Sequence, residues 1–549
     1  MKKVLNFLLF LFIILLGSCG EQTKEPKTPI ETEGELPTMV STNESHDLSY
    51  QQKLSTFIEE SYITNDSFYN YIINDKEYID NEQLASEALY VSPNGEGDGS
   101  IDNPCSIYDA VKNVKPGETI YLRGGEYNLK GTVNIKNSGL ENKYITIRNF
   151  PNEHVYLSSS AENIKKYSKN KEYVVFAIAE NVSYVKIEGL EIGNISQKNV
   201  IGIVAWNGGQ NNIIIRNNVI HDLKTTSTNM NDSDSGANAI LLLGESYTPI
   251  SNVLIYGNEC YNNATGWCET ISVSANCEGV YVIENYVHDN TNIGIDFYGN
   301  AGYCDNPALD QPRYCVAALN KVEASVCEYA DAAGLYVDGA RDVLLTNNYI
   351  KSSQYGIEIG AEELSEGYPV KNIIVRNNVM YKNMTCGLRI GGYDAKACGY
   401  VTSTKIYNNT IINSSYGGSG VITISKVDGI DFRNNIVYSE INKPLVTGDM
   451  SNSYSKNITF EYNYFNINGK SKDELIFELF KGSQKGLDAF NDLVGDTNIT
   501  GAIKFDKQYR VVAGVTINAG DNSLNCGIYD FEFKNRISDN HIDIGAYEF

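Results

Sequence analysis

Four phrases of the form Gly-apolar-x-apolar-x follow one another between residues 294 and 391: GIDFY (294–298), GLYVD (334–338), GIEIG (356–360) and GLRIG (387–391). If each is a strand, its apolar residues face one side and its x residues the other. Asp296, Tyr298, Tyr336, Asp338, Glu358 and Arg389 then share one surface, within about 15 Å at a strand spacing of ~4.8 Å. Asp338 and Glu358 fall one phrase apart and two positions apart along the strand, a Cα separation of about 8 Å. Their carboxyl groups can lie ~5 Å apart or ~7–9 Å apart, the spacings of retaining and inverting glycoside cleavage. One carboxyl kept protonated by burial and one ionised as nucleophile or base are the minimum equipment for that reaction. Asp296 is a third candidate acid, and Tyr298, Tyr336 and Arg389 are candidates to hold a sugar. Trp206, in GIVAW (202–206), and Arg313, in the insert 299–315, join them as substrate-binding candidates. Plainer roles stand beside these: a Glu358–Arg389 surface pair, a Trp206 packed under a loop, an Arg313 bonded to Asp310.

The elements that must position these residues are announced by a second phrase, two or three β-branched residues followed by Asn-Asn, apolar, x, apolar. It occurs as IIIRNNVI, VYVIENYV, LLTNNYI, IIVRNNVM and IDFRNNIV. Its second Asn falls at 218, 258, 285, 320, 348, 378, 409, 435 and 463. Units of this size cannot close their own apolar face and must stack. Strand-rich units with an Asn at each corner predict an all-β fold, a right-handed single-stranded parallel β-helix of about 12 coils with a short N-terminal helical cap. Such a solenoid offers a long groove suited to a chain-like ligand. The boundaries read from the sequence are a signal peptide at 1–18, a polar tether at 19–45, a helical cap segment at 46–87, the β-helix at 88–465, and C-terminal coils and closure at 466–549.

Lys2 and Lys3 precede an apolar run from Val4 to Leu16 that is too short to span a bilayer and suits a signal sequence. Leu16-Gly17-Ser18-Cys19 resembles the bacterial lipobox, which implies acylation of Cys19 and a lipid anchor in the cell envelope, at the outer membrane, as the chain's contact with a membrane. The formal charge of −24 argues against nucleic acid as partner, since no basic stripe is present. The 39 tyrosines against two tryptophans suit β-structure. Cysteines crowd between 260 and 327, giving either buried thiols or a disulfide, with Cys304/Cys315 the preferred pair. The five histidines are scattered, which argues against zinc.

The segments YVSPNG (90–95), PGETIYLRGGEY (116–127), INAGD (517–521) and DIGAYEF (543–549) resemble the ends of bacterial β-helical, pectin-lyase-like polysaccharide lyases and glycosidases, a resemblance covering about 88–549. GLYVD ending at Asp338 and GIE ending at Glu358 resemble the nucleophile and acid strands of β-helical β-xylosidases, which implies those roles here. The expectation is a monomeric glycan-degrading lipoprotein acting on a poly- or oligosaccharide, a glycoside hydrolase that requires no cofactor. The alternative is a polysaccharide lyase in which Asp296, Glu358 and Glu362 hold Ca²⁺ and Arg389 acts as base. A third reading is a surface protein that binds glycan without turnover.

Overall fold

The computed structural model describes residues 45–59, 66–80, 83–227, 235–363, 367–391, 394, 396–415, 420–448, 454–480, 482–538 and 540–549. The signal segment, Cys19 and most of the tether lie outside them. Each coil contributes one strand to each of three sheets, two of 13 strands and one of 12, and every third strand in sequence is a neighbour in space. The pairing between coils is parallel, as in Ile213↔Val253 and Ile213↔Val185 of the first sheet, and the second sheet ends on one antiparallel pair, Ile476↔Lys485. The inward residues form one continuous core along the solenoid.

The Asn-Asn phrase marks the corner between the first and third sheets, and its two residues do different work. The first takes a left-handed backbone, at φ 53° for Asn217, 56° for Asn347 and 55° for Asn377. Asn enters that region at low cost because its short amide bonds locally. The second turns inward and stacks on its counterpart one coil away. Asn348 Nδ2 donates to Asn378 Oδ1 (2.9 Å) and to the Ala317 carbonyl (2.9 Å), while its Oδ1 accepts from Asn320 N and Nδ2 (both 3.0 Å). The ladder runs from Asn218 to Asn463 and extends to Asn498, beyond the point where the sequence phrase fades.

Among the described residues five α-helices accompany the sheets. α1 (Tyr50–Glu59) and α2 (Asp66–Asn74) lie against the first sheet, α3 (Ile107–Asn113) closes one end, α4 (Ala161–Tyr167) flanks the third sheet, and α5 (Leu487–Val494) closes the other end. The N-terminal cap is therefore α3, capped by Ser106 and seated on the core through Ile107, Ala110 and Val111. The segment 46–87, expected to be the cap, instead covers the side. Tyr50, Leu54, Phe57, Ile58, Phe68 and Ile72 pack on Tyr144, Ile214, Leu254, Tyr281, Val316 and Leu344. This outer face of the first sheet is apolar and needs a cover. Asp75 fastens the strap, pairing with Lys186 (2.7 Å) and Arg216 (3.2 Å).

The C-terminal tail also runs along a side. The first Asn of successive corners binds its backbone: Asn347 to Asp530 O (2.7 Å), Asn377 to Cys526 O (3.0 Å), Asn408 to Asp543 O (2.9 Å) and Asn434 to Asp521 O (3.1 Å). The ten described cysteines are free thiols. Cys304 and Cys315 do not pair; Cys315 is buried in the core and donates to the Arg313 carbonyl. Packing, not crosslinking, accounts for the cysteine-rich coils.

Candidate functional site

The outward side chains of the second sheet form a row, one residue per coil: Ala177, Val204, Leu241, Ser272, Asp296, Tyr336, Glu358, Arg389, Thr423 and Thr447. A second row two positions along holds Trp206, Leu243, Ser274 and Tyr298, then Asp338 beside Gly360. The predicted alternation therefore places Asp296, Tyr298, Tyr336, Asp338, Glu358 and Arg389 on one face. Inward partners such as Ile295, Phe297, Leu335 and Ile357 lie wholly in the core, which fixes the direction of the outward set.

Outward does not mean exposed here. Asp296 is 2%, Asp338 3% and Glu358 2% exposed. The 299–312 loop crosses this side, with Gln311 Nε2 donating to Gly339 O (2.6 Å) and Asn300 Nδ2 to Tyr368 O (3.1 Å). The turn after Gly360 brings Glu362 over the rows. Its N–H donates to Asp338 Oδ1 (2.8 Å), and its carboxylate accepts from the Tyr336 hydroxyl (3.4 Å).

Burial pushes the Glu358 carboxyl up to about 8, against the pull of Arg389. Burial, then like charge from Glu269 and Asp338, raises Asp296 well above the carboxylate range. Asp338 is raised the same way, by burial and then Glu362. Arg389 sits between acids, Nη1 on Asp331 (2.5 Å) and Nε on Glu358 (3.4 Å), with its guanidinium over the Tyr355 ring (4.9 Å). Tyr355 also donates to Asp331 (3.0 Å).

Two acids escaped the sequence reading. Glu269 is pushed up to about 7 by burial, against a hydrogen bond from Ser272, and adds to the charge felt by Asp296 and Asp338. Asp331 anchors Arg389 and Tyr355. Both sit where a loop enters the second sheet, just before the strands Ile271–Ala275 and Ala333–Asp338. A search of those junctions, rather than of the strand phrases alone, would have found them.

Two expected residues belong elsewhere. Arg313 opens a strand of the first sheet and pairs with Glu278 (2.7 Å) and Asn276 (3.0 Å), away from the carboxylates and from Asp310. Trp206 shares the groove face but lies three coils from Tyr298, packed on an apolar cluster of Val174, Ala177, Ile201 and Val204. Among the described residues no group of three or more His, Cys, Asp or Glu side chains is arranged to hold a metal ion.

The raised carboxyls have a consequence for stability. A carboxyl whose folded pKa exceeds its unfolded value stabilises the fold fully below the ordinary carboxylate range and loses that contribution as pH rises through the folded value. Glu358 and Glu269, at about 8 and about 7, place the loss between about pH 5 and pH 8. Glu153 acts oppositely, because hydrogen bonds from Arg123 lower its pKa and its contribution fades in acid. The melting temperature is expected to fall from pH 6 to pH 9, and to fall less in Glu358→Gln, when both are followed by scanning fluorimetry. Equal slopes in the two proteins would show that Glu358 is ordinarily ionised.

Three sheets wound into a solenoid and a buried Asn ladder define the class, a pectin-lyase-like right-handed β-helix protein. The chain belongs to the family described as Pel9A-like, right-handed β-helix region, whose model matches residues 89–383. It is 30% identical over 432 residues to the uncharacterized protein YwoF of Bacillus subtilis (strain 168), covering 75% of this chain and 86% of that protein. Pectate lyase L of Thermoclostridium stercorarium is 26% identical over 351 residues, covering 62% of this chain and 24% of the relative. The crystal structure of the GH136 lacto-N-biosidase from Eubacterium ramulus superposes with a TM-score of 0.50 at 16% identity, covering 69% of this chain and 68% of that one. That likeness concerns the fold.

Proposed function

We propose that the protein is a glycan-degrading enzyme of the cell envelope that hydrolyses glycosidic bonds with Asp338 and Glu358. The observation that carries this reading is the pair itself: two shielded carboxyls on adjacent coils, two positions apart, with Glu358 pushed up to about 8. A carboxyl that stays protonated at neutral pH can donate to the leaving oxygen, as a general acid must. Asp338, which burial and Glu362 also hold above the ordinary carboxylate range, serves as nucleophile or base once ionised, a form that the Glu362 N–H on Oδ1 favours, and the buried Tyr336 holds the Glu362 carboxylate through its hydroxyl. The lipobox-like segment ending at Cys19 supports export and lipid anchoring.

Elimination is the second reading, favoured by the relationship to pectate lyases. Against it, the cation of the row is Arg389, which is committed to Asp331 and Glu358 rather than poised as a base. The deciding assay incubates protein lacking residues 1–19 with plant and algal polysaccharides, with and without EDTA. Reducing ends and the ultraviolet absorbance of unsaturated uronate are followed together. New reducing ends without absorbance establish hydrolysis; absorbance abolished by EDTA establishes elimination and overturns the roles given to Asp338 and Glu358.

A further inference from the structure

The charge around the carboxylate pair is lopsided. Beyond burial, Glu269 and Glu362 raise the carboxyls of both Asp296 and Asp338, Asp338 raises that of Asp296, and the guanidinium beside them is already shared by Asp331 and Glu358. Within this group Asp296 is singular. It is 2% exposed, and its Oδ1 has no hydrogen-bond partner. A buried acceptor left unmatched is costly, and native structures rarely tolerate one unless a ligand or proton completes it. For the ionised carboxylate the missing group must be a donor. A neutral hydroxyl would satisfy the oxygen yet leave the repulsion among the acids; a cationic donor would relieve both. A uronate carboxylate would add a further like charge to the same space and be rejected.

We propose that the site takes an amino sugar, and that Asp296 is the specificity residue whose Oδ1 receives the sugar's ammonium group. The location rests on the hydrolase reading of this face, but the recognition does not require turnover. Asp296 and Glu269 lie one coil apart at the apolar end of the catalytic segment, where Ser272 bonds Glu269 and Ser274. Tyr336 follows on the next coil, so the ammonium would sit beside its ring. Binding a cation makes these carboxyls stronger acids, so uptake of the amino sugar should expel protons to solvent.

Isothermal titration of the full chain in EDTA tests this. The probes are the methyl glycosides of glucosamine and galactosamine, their N-acetylated and neutral counterparts, and methyl galacturonoside. Each is run in two buffers of different ionisation enthalpy. The expected result is at least about tenfold tighter binding of an amino sugar than of its N-acetylated or neutral counterpart. Protons should be released on binding, and galacturonoside should give no heat. Asp296→Asn should reduce the preference to about threefold or less at an unchanged melting temperature. No amine preference, a preference unaltered in Asp296→Asn, or amine binding that appears only when calcium replaces EDTA would each overturn the proposal. Amine preference without hydrolysis of any glycan would remove the enzyme reading and leave this one; hydrolysis without amine preference would do the reverse.

Discussion

Glu358→Gln is expected to lower kcat by about 10²–10⁴-fold, the range that a positioned general acid contributes. The glutamine keeps the volume and an oxygen facing Arg389, which stays anchored by Asp331, so the site keeps its shape. What is lost is the transferable proton. Because burial pushes the Glu358 carboxyl up to about 8, wild-type kcat/KM should decline above about pH 8. That limb should vanish from the residual activity of the variant. Asp338→Asn should be similarly damaging, since its oxygen can still accept from the Glu362 N–H but can neither attack nor take up a proton. Both variants should melt no lower than wild type at pH 8, because each removes a buried group that resists ionisation. Activity of Glu358→Gln within about twofold of wild type, on a substrate established by the assay above, would sink the acid assignment.

Asn348→Ala is expected to cost about 3–5 kcal/mol, since it strands several buried polar groups at once. The Ala317 carbonyl loses a donor, and the Asn320 backbone N–H and one amide hydrogen lose their acceptor. All are in the interior, where water cannot replace the lost partner. Asn134→Ala removes only an exposed bond to the Thr132 carbonyl and should change stability by less than about 0.5 kcal/mol. Urea unfolding of the two variants beside wild type measures the contrast. A loss of under about 1 kcal/mol at Asn348 would mean that neighbouring coils relax to replace the amide.

The solenoid was legible because stacking writes itself into sequence. From Asn218 onward successive coils use the same left-handed corner and the same inward amide, so the phrase repeats and marks those coils. The outward row was legible for the same reason, since strand alternation is strict and register on one sheet places Asp296, Tyr336, Glu358 and Arg389 in line. Alternation says nothing about loops. Glu269 and Asp331 reach the site from junctions that carry no period, and Arg313 was placed with a loop although it begins a strand of another sheet. Cys304 and Cys315 looked pairable by proximity in sequence, yet one lies in the loop and the other inside a strand. A helical segment was legible before residue 87, but its partner, the apolar outer face of the first sheet, appears only once separated strands are brought side by side.

That strap and the C-terminal tail change how the rod should come apart. A solenoid held only by contacts between adjacent coils can fray inward from its ends, one repeat at a time. Here α1 and α2 touch residues from Tyr144 to Leu344, and the tail is bonded to corners from Asn347 to Asn434. Losing any one coil beneath either splint strips contacts from several others. The two splints meet, because Phe57 lies against Phe533 and His46 donates to the Phe533 carbonyl. Melting is therefore expected to be a single cooperative event across the coils beneath the two splints, which coincident transitions in calorimetry and circular dichroism would check.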